Sequence, residues 1–390
     1  MNVYFDNAAS TMVREEAVAA MLPVMREDFG NPSSMHGFGR RAKVKLEGAR
    51  KSVADALGAK PENVFFTSGG TESNNWAIIG AADKLIRKGR HIITSAIEHS
   101  AVLTPIKTLE SKGWEVTYLM PDPSGNISLR AFSDALRDDT VFASIMLVNN
   151  ETGAINDIGG FSSEIKRRSL KTVLHTDAVQ GLCKIPFTVK SLGAELVTVS
   201  SHKLHGPKGV GALYIKDGVK IAPLILGGDH EKGSRGGTEA LPAAVGFGEA
   251  VLLGRLELDD TASAVGSLRE YVSSLLRAEI PEVVFIGEGG SNDDETASCK
   301  GTSPFILCIS LPGYKSEVLM SFLDGEGICV SRSAACKKGA RSRTLEAMKL
   351  KNDVIDGSLR VSFSRYSTRE EAEYFVKVLK KASESVLKVL

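Results

Sequence analysis

Val64-Phe65-Phe66-Thr67-Ser68-Gly69-Gly70-Thr71-Glu72-Ser73 is the stretch on which the fold turns. Four residues with apolar and β-branched side chains read as a buried strand, two glycines as a tight turn, and the residues after them as the start of a helix. A strand that runs through a glycine turn into a helix is the opening half of a βαβ unit. Upstream, residues 39–57 read as a helix, because Ala42, Leu46, Ala49, Val53 and Ala56 recur at three- and four-residue spacing and Gly58 supplies a C-cap. Downstream, short strands are predicted at His91–Thr94, Glu115–Leu119, Val141–Val148, Thr172–His175, Leu196–Val199 and Val210–Ile215. Helix-length segments at 100–112, 128–137 and 158–169 lie between them. The pattern predicts an α/β fold: a large domain with a mostly parallel seven-stranded sheet between helices.

From residue 255 the pattern changes. A long helical stretch (258–279) precedes strands near 282–286 and 305–310, a helix at 315–324, a strand at 327–331 and a last strand at Ser358–Ser364. Thr368 and Glu371 have the spacing of a capping box at the start of a terminal helix. The reading is a large domain over 1–254, whose N-terminal segment could pack with the other unit, and a smaller α+β domain over 255–390. Gly287–Ser303 is its longest loop candidate.

Composition narrows the function classes. The chain has 390 residues, with 48 Lys+Arg against 47 Asp+Glu, a net charge of +1, which gives no basic stripe for nucleic acid. With 43% hydrophobic and 24% charged residues it is an ordinary globular mixture. The first ten residues lack a basic segment followed by an apolar one, and no run of apolar residues is long enough to span a bilayer. Cys183, Cys299, Cys308, Cys329 and Cys336 are odd in number and lack C-x-x-C spacing, so neither a disulfide framework nor a structural zinc site is expected. A cytoplasmic protein with reduced thiols, bound to neither membrane nor nucleic acid, is the expectation. No metal ligand set is predicted.

The chemistry-bearing residues sit at strand ends. Ser200-Ser201-His202-Lys203-Leu204-His205-Gly206-Pro207-Lys208-Gly209-Val210-Gly211 joins two apolar strands. Taken alone, Lys203 is either a solvated charge or an amine whose pKa a pocket lowers enough for Schiff-base chemistry. Gly69-Gly70-Thr71 is either a plain turn or an anion cup at a helix N-terminus. Asp177, at the end of a strand, is either a helix cap or a carboxylate facing the crevice where open α/β sheets bind ligands. His99 is a cap, a core histidine or a ligand contact. Together these supply what pyridoxal phosphate requires: a lysine, an anion cup and a carboxylate for the ring nitrogen.

The order of eight segments identifies a family resemblance. They are Tyr4–Ala9, Phe29–Ser34, Thr67–Asn75, Glu98-His99, Val148–Gly153, His175–Gln180, Ser200–Gly211 and Arg235-Gly236-Gly237-Thr238. Over essentially its whole length the chain resembles the cysteine desulfurases, the NifS/IscS-like branch of the class V pyridoxal-phosphate enzymes of fold type I. The resemblance implies Lys203 as the lysine that binds pyridoxal 5'-phosphate covalently, Asp177 beside its ring nitrogen, His99 stacked on the ring and Gln180 at its phenolic oxygen. It implies Asn150 near the ring and the substrate carboxylate, and Gly70, Thr71, Ser200 and His202 around the phosphate. Thr238 would reach the phosphate of a neighbouring subunit, which makes a homodimer. Arg360 would bind the carboxylate of L-cysteine. Cys336 would be the nucleophile that takes the sulfur as a persulfide and passes it to a protein acceptor or iron–sulfur scaffold. Lysines 337 and 338 would favour its thiolate, while Cys308 and Cys329 read as buried core thiols. The loop departs from the family's usual Ser-Gly-Ser-Ala-Cys, reading Arg332-Ser333-Ala334-Ala335-Cys336 with an unusually basic continuation. The alternatives are a selenocysteine lyase or another class V aminotransferase, and, in another class, a non-catalytic sulfur-transfer scaffold.

Overall fold

A computed structural model describes residues 1–287, 301–333 and 341–388. The chain opens with a two-residue strand, β1 (Val3–Tyr4), and two helices, α1 (Glu15–Arg26) and α2 (Gly37–Leu57). Gly58 ends α2 in the left-handed conformation at φ 64°, a C-cap that glycine adopts without steric cost. Alternation then begins: β2 (Val64–Thr67), α3 (Gly70–Leu85), β3 (His91–Ser95), α4 (Ser100–Glu110), β4 (Glu115–Leu119), α5 (Leu129–Ala135), β5 (Thr140–Ser144), α6 (Ile158–Arg167), β6 (Val173–Asp177), α7 (Val189–Leu192), β7 (Leu196–Ser200) and β8 (Gly211–Ile215). β2 to β8 form one seven-stranded sheet in the order β2-β8-β7-β6-β5-β3-β4. Only β8 runs antiparallel to its neighbours, β2 and β7. The predicted α/β class and mostly parallel sheet are therefore observed. Strand limits move by up to a few residues, most at the predicted 141–148, where the sheet keeps only Thr140–Ser144.

Two of the longer helices lie outside the predicted pattern, as does the short α7. α1 and α8 (Leu241–Leu256) pack on each other, and α8 also packs on α2. Squeezed between two helices, α8 buries Leu241, Ala244, Gly246, Phe247, Gly248, Ala250 and Val251. α8 is apolar nearly all round, so it carries no polar stripe to set a 3.6-residue alternation.

The second unit opens with α9 (Leu258–Glu279), whose Val265, Leu268, Val272 and Leu276 belong to its apolar core. β9 (Val284–Ile286), β10 (Ile306–Ser310), β12 (Ser331–Arg332) and β13 (Ser358–Ser362) form a four-stranded sheet ordered β12-β13-β10-β9, and α10 (Ser316–Gly325) and β11 (Ile328–Cys329) precede β12. The single strand predicted at 327–331 is thus two short ones with different partners. β11 pairs in parallel with β1, and Val3, Phe5 and Ala8 join this unit's apolar core. Short helices α11 (Arg343–Ala347) and α12 (Asn352–Asp356) lead to β13, and α13 (Arg369–Ser385) closes the chain behind the Thr368/Glu371 capping box. Among the described residues, no helix is long and apolar enough to cross a membrane.

Candidate active site

The site lies where the parallel strands end. β6 finishes at Asp177 and β7 at Ser200, and a 3₁₀ turn (Ser201–Lys203) then lifts Lys203 over the sheet edge. The N-terminal segment crosses this edge and is stitched to it: Thr11 N donates to His202 O, and Arg14 N to His205 O. Its carbonyls receive the lysine. Lys203 Nζ donates to Ala8 O at 2.6 Å and Ala9 O at 2.8 Å. Burial, and after it the Arg360 guanidinium, push the Lys203 ammonium down to about 8.

A cavity of about 560 Å³ opens in front of the lysine. Of the predicted site residues, Gly70, Thr71, His99, Asn150, Asp177, Gln180, Ser200, His202, Lys203 and Arg360 all line it. Gly69 has φ 148° and no side chain caps α3, so the first turn of that helix presents its amides to the cavity floor. A Cβ on Gly70 would lie 2.9 Å from Val179 Cγ2 and 3.6 Å from Ser200 Cβ, so a side chain there would crowd this cradle. Ser200 Oγ is buried there without a partner among the described residues. An open helix N-terminus, a bare glycine and an unused hydroxyl suit an anionic group.

The walls are fixed from behind. Asp177 Oδ2 accepts from Asn74 Nδ2 at 2.6 Å and Oδ1 from Val179 N at 3.0 Å. Asn74 escaped the sequence reading, although its place one helical turn after Gly70 puts it on the same face of α3. His99 is the N-cap of α4, and its Nδ1 accepts from Ala101 N at 3.1 Å. Burial lowers its pKa. A neutral imidazole whose Nδ1 accepts carries its proton on Nε2. Below it, Glu98 is fully enclosed and accepts from Ser95 Oγ and Met146 N through one oxygen, while the other has no partner among the described residues. Burial pushes its carboxyl up to about 8.

The opposite wall comes from the second unit. Arg360, in the middle of β13 and only 4% exposed, donates to Asn150 O at 3.0 Å and to Asp6 Oδ1 at 2.8 Å. Its Nε has no partner among the described residues. Arg332, where the family's usual sequence has a small residue, also lines the cavity and pairs with Glu317 of α10 at 2.6 Å.

Thr238 does not line this chain's cavity and is exposed. Cys336 and Cys299 lie outside the described residues. Cys308 is buried and its thiol is pushed up to about 12 by that burial. Cys329, expected to be buried, is exposed. β11 turns Ile328 inward, and strand alternation therefore turns Cys329 outward. No group of three or more His, Cys, Asp or Glu that could hold a metal ion occurs among the described residues.

A lysine and a carboxylate at adjacent parallel strand ends, above an anion cradle, define a class of α/β enzyme. The chain belongs to the aminotransferase class-V family, which it matches over residues 3–375. Within that family it is similar to the cysteine desulfurase IscS of Dictyoglomus turgidum, at 41% identity over 98% of this chain and 95% of the relative. It is also similar to the cysteine desulfurase IscS of Methanosarcina thermophila, at 41% identity over 97% of this chain and 91% of the relative. Among solved structures, a NifS-like protein superposes with a TM-score of 0.90 at 36% identity, over 98% of this chain and 100% of the other.

Proposed function

We propose that this protein is a pyridoxal-phosphate-dependent cysteine desulfurase that converts L-cysteine to L-alanine and takes up the sulfur on Cys336. The observation that carries the reading is the convergence of Lys203, Asp177, His99, Gln180 and Arg360 on one cavity. The cavity also fits the cofactor: its floor suits a phosphate, its far end a protonated ring nitrogen, and its mouth a lysine amine of lowered pKa. When bound, pyridoxal phosphate supplies an electron sink for the carbanion formed at the substrate Cα.

Gly70, Thr71, Ser200 and His202 hold the phosphate in this reading. Asp177, kept in place by Asn74 and Val179, pairs with the pyridinium. Arg360 presents its buried guanidinium to the substrate carboxylate, a charge-assisted contact for which Nε is still available. Asn150 is tied to the same guanidinium through its carbonyl. Lys203 Nζ, with a lowered pKa, exchanges its proton near neutral pH and moves the Cα proton of the substrate. His99, protonated on Nε2, faces the same space as a donor. Cys336 would attack the substrate sulfur as a thiolate: the S–S bond forms as the substrate's Cβ–S bond breaks, the electron pair stays with the carbon skeleton, a proton added at Cβ gives alanine, and Cys336 carries the sulfur away as a persulfide. Thr238, exposed on its own chain, serves the phosphate site of a second copy in a homodimer, and a protein acceptor or iron–sulfur scaffold receives the sulfur.

Purified protein given L-cysteine and no keto acid should release alanine in step with sulfur transfer. Alanine formation that requires a keto-acid acceptor would make it a transaminase, and turnover of selenocysteine alone a lyase. Borohydride reduction followed by peptide mapping should place the pyridoxyl group on Lys203, and a label on Lys208 instead would remove the assignment.

A further inference from the structure

Lys184 lies four residues beyond Gln180, is 6% exposed and pairs with no carboxylate among the described residues. Its Nζ donates to Gln180 Oε1 at 3.1 Å and stands 5.7 Å from the centre of the Phe305 ring. The other end of the same amide, Gln180 Nε2, donates at 2.8 Å to Ala8 O, which also accepts from Lys203 Nζ at 2.6 Å. The two lysines are thus the ends of one chain: Lys184, the Gln180 amide, the Ala8 carbonyl, Lys203.

The chemistry of this chain leaves the amide one orientation. While it is protonated, Lys184 can only donate, and Oε1 then must face it. A carbonyl only accepts, so Nε2 must face Ala8, on the cavity side. With an apolar residue at 184, Oε1 would lose its donor and the Ala8 carbonyl alone would hold the amide in that orientation. We propose that Lys184 is a positioning residue, which holds the Gln180 amide with its N–H toward the cavity and so makes Gln180 a hydrogen-bond donor to the cofactor's phenolic oxygen. The inference rests on the placement of Gln180 in the proposed function.

The surroundings support a role beyond packing. Burying an ammonium with no counter-ion is costly, and its burial and the charges of Lys203 and Arg360 push Lys184 down to about 7. The other titratable groups facing it are His202 and His205, each lowered to about 4 by burial and so neutral near pH 7. Glu257, across a small cavity of about 30 Å³ that Lys184 also lines, is taken up by Arg14 and Arg365. A methionine in that position would fill the space more cheaply, and what the lysine adds is its hydrogen bond to Gln180.

The test is the pH titration of the cofactor's visible absorption band in the loaded enzyme. A donor to an ionised oxygen favours the ionised form. Gln180→Ala should therefore raise the midpoint by about one pH unit, and Lys184→Met should raise it by a similar amount. Lys184→Arg, which keeps a donor-only group, should restore the wild-type midpoint. In the double variant, the shift should equal that of Gln180→Ala alone. A wild-type midpoint in Lys184→Met beside a shifted Gln180→Ala overturns this inference and leaves the placement of Gln180 standing. Shifts that add in the double variant overturn it too. A wild-type midpoint in Gln180→Ala removes both. If Lys184→Met does not take up cofactor, Lys184→Gln replaces it, with a smaller upward shift expected and an unchanged midpoint counting against the inference.

Discussion

The two walls of the cavity are built by different means. Asp177 and Ser200 are the last residues of adjacent parallel strands, and Lys203 follows Ser200 by three residues. Their spacing is set by the ladder between β6 and β7, in which Asp177 pairs with Thr198. The facing wall has no such ladder in common with them. Arg360 belongs to β13 of the other sheet and reaches the site through Asp6 and the Asn150 carbonyl, from segments 354 and 210 residues away in sequence. A cofactor must be held still, and strand ends of one sheet do that. Substrate has to enter and sulfur has to leave, and the wall built from a second unit is the one that carries Arg360, Arg332 and the segment leading to Cys336.

Variants can break or sharpen this contrast. Lys203→Ala should have the largest effect: no covalent cofactor and no turnover, with the far-ultraviolet circular dichroism unchanged. Residual turnover by that variant would break the first wall's role outright. Asp177→Asn should keep the cofactor and slow the chemical step by at least about a hundredfold, the loss expected for one strong electrostatic contact. Single-turnover kinetics checks this, and near-normal rates would refute it. Arg360→Lys acts on the other wall. It removes the guanidinium fork and should raise the KM for cysteine about 10- to 100-fold, as loss of one charge-assisted contact does. Its kcat should fall less, and a kcat loss without a KM change would contradict the assignment.

Smaller effects follow from burial. Cofactor capture by the cofactor-free protein needs neutral Lys203. With the amine near 8, the capture rate should rise about fivefold from pH 7 to pH 8 and level off above 9. An unshifted lysine would instead keep gaining tenfold per unit to about pH 10. The smallest effect concerns Glu98. Its native pKa, near 8, exceeds that of an unfolded glutamate, so the folded protein binds the extra proton. Its contribution to stability is present at low pH and is lost as pH rises toward 8. Glu98→Gln keeps an oxygen for Ser95 and Met146 and should flatten the decline of Tm between pH 5 and pH 8. An unchanged slope would show that another group sets it.

Legibility in the sequence follows the same division. β2, β4 and the capping box of α13 lie where the residues alone put them, because half-buried strands and helix caps have local signals. The residues at the strand ends were placed by the same local signals, but their roles came only from the family resemblance. β1 was not legible, since two residues carry no alternation, and neither was α8, whose sequence is apolar nearly all round. The supports behind the site were also hidden. Asn74, Lys184 and the Ala8 and Ala9 carbonyls act through contacts that only the assembled fold brings together. Cys329 shows the limit most plainly: an apolar context on both sides says nothing of which way a two-residue strand faces.

The central claim is that sulfur from cysteine ends on Cys336. Wild-type protein loaded with cofactor, treated with L-cysteine, alkylated and digested should show one added sulfur atom on the peptide that contains Cys336, and Cys336→Ser should show none while still binding cysteine. Added sulfur on the peptides of Cys183, Cys299, Cys308 or Cys329 instead, or alanine released at the wild-type rate by Cys336→Ser, would contradict it.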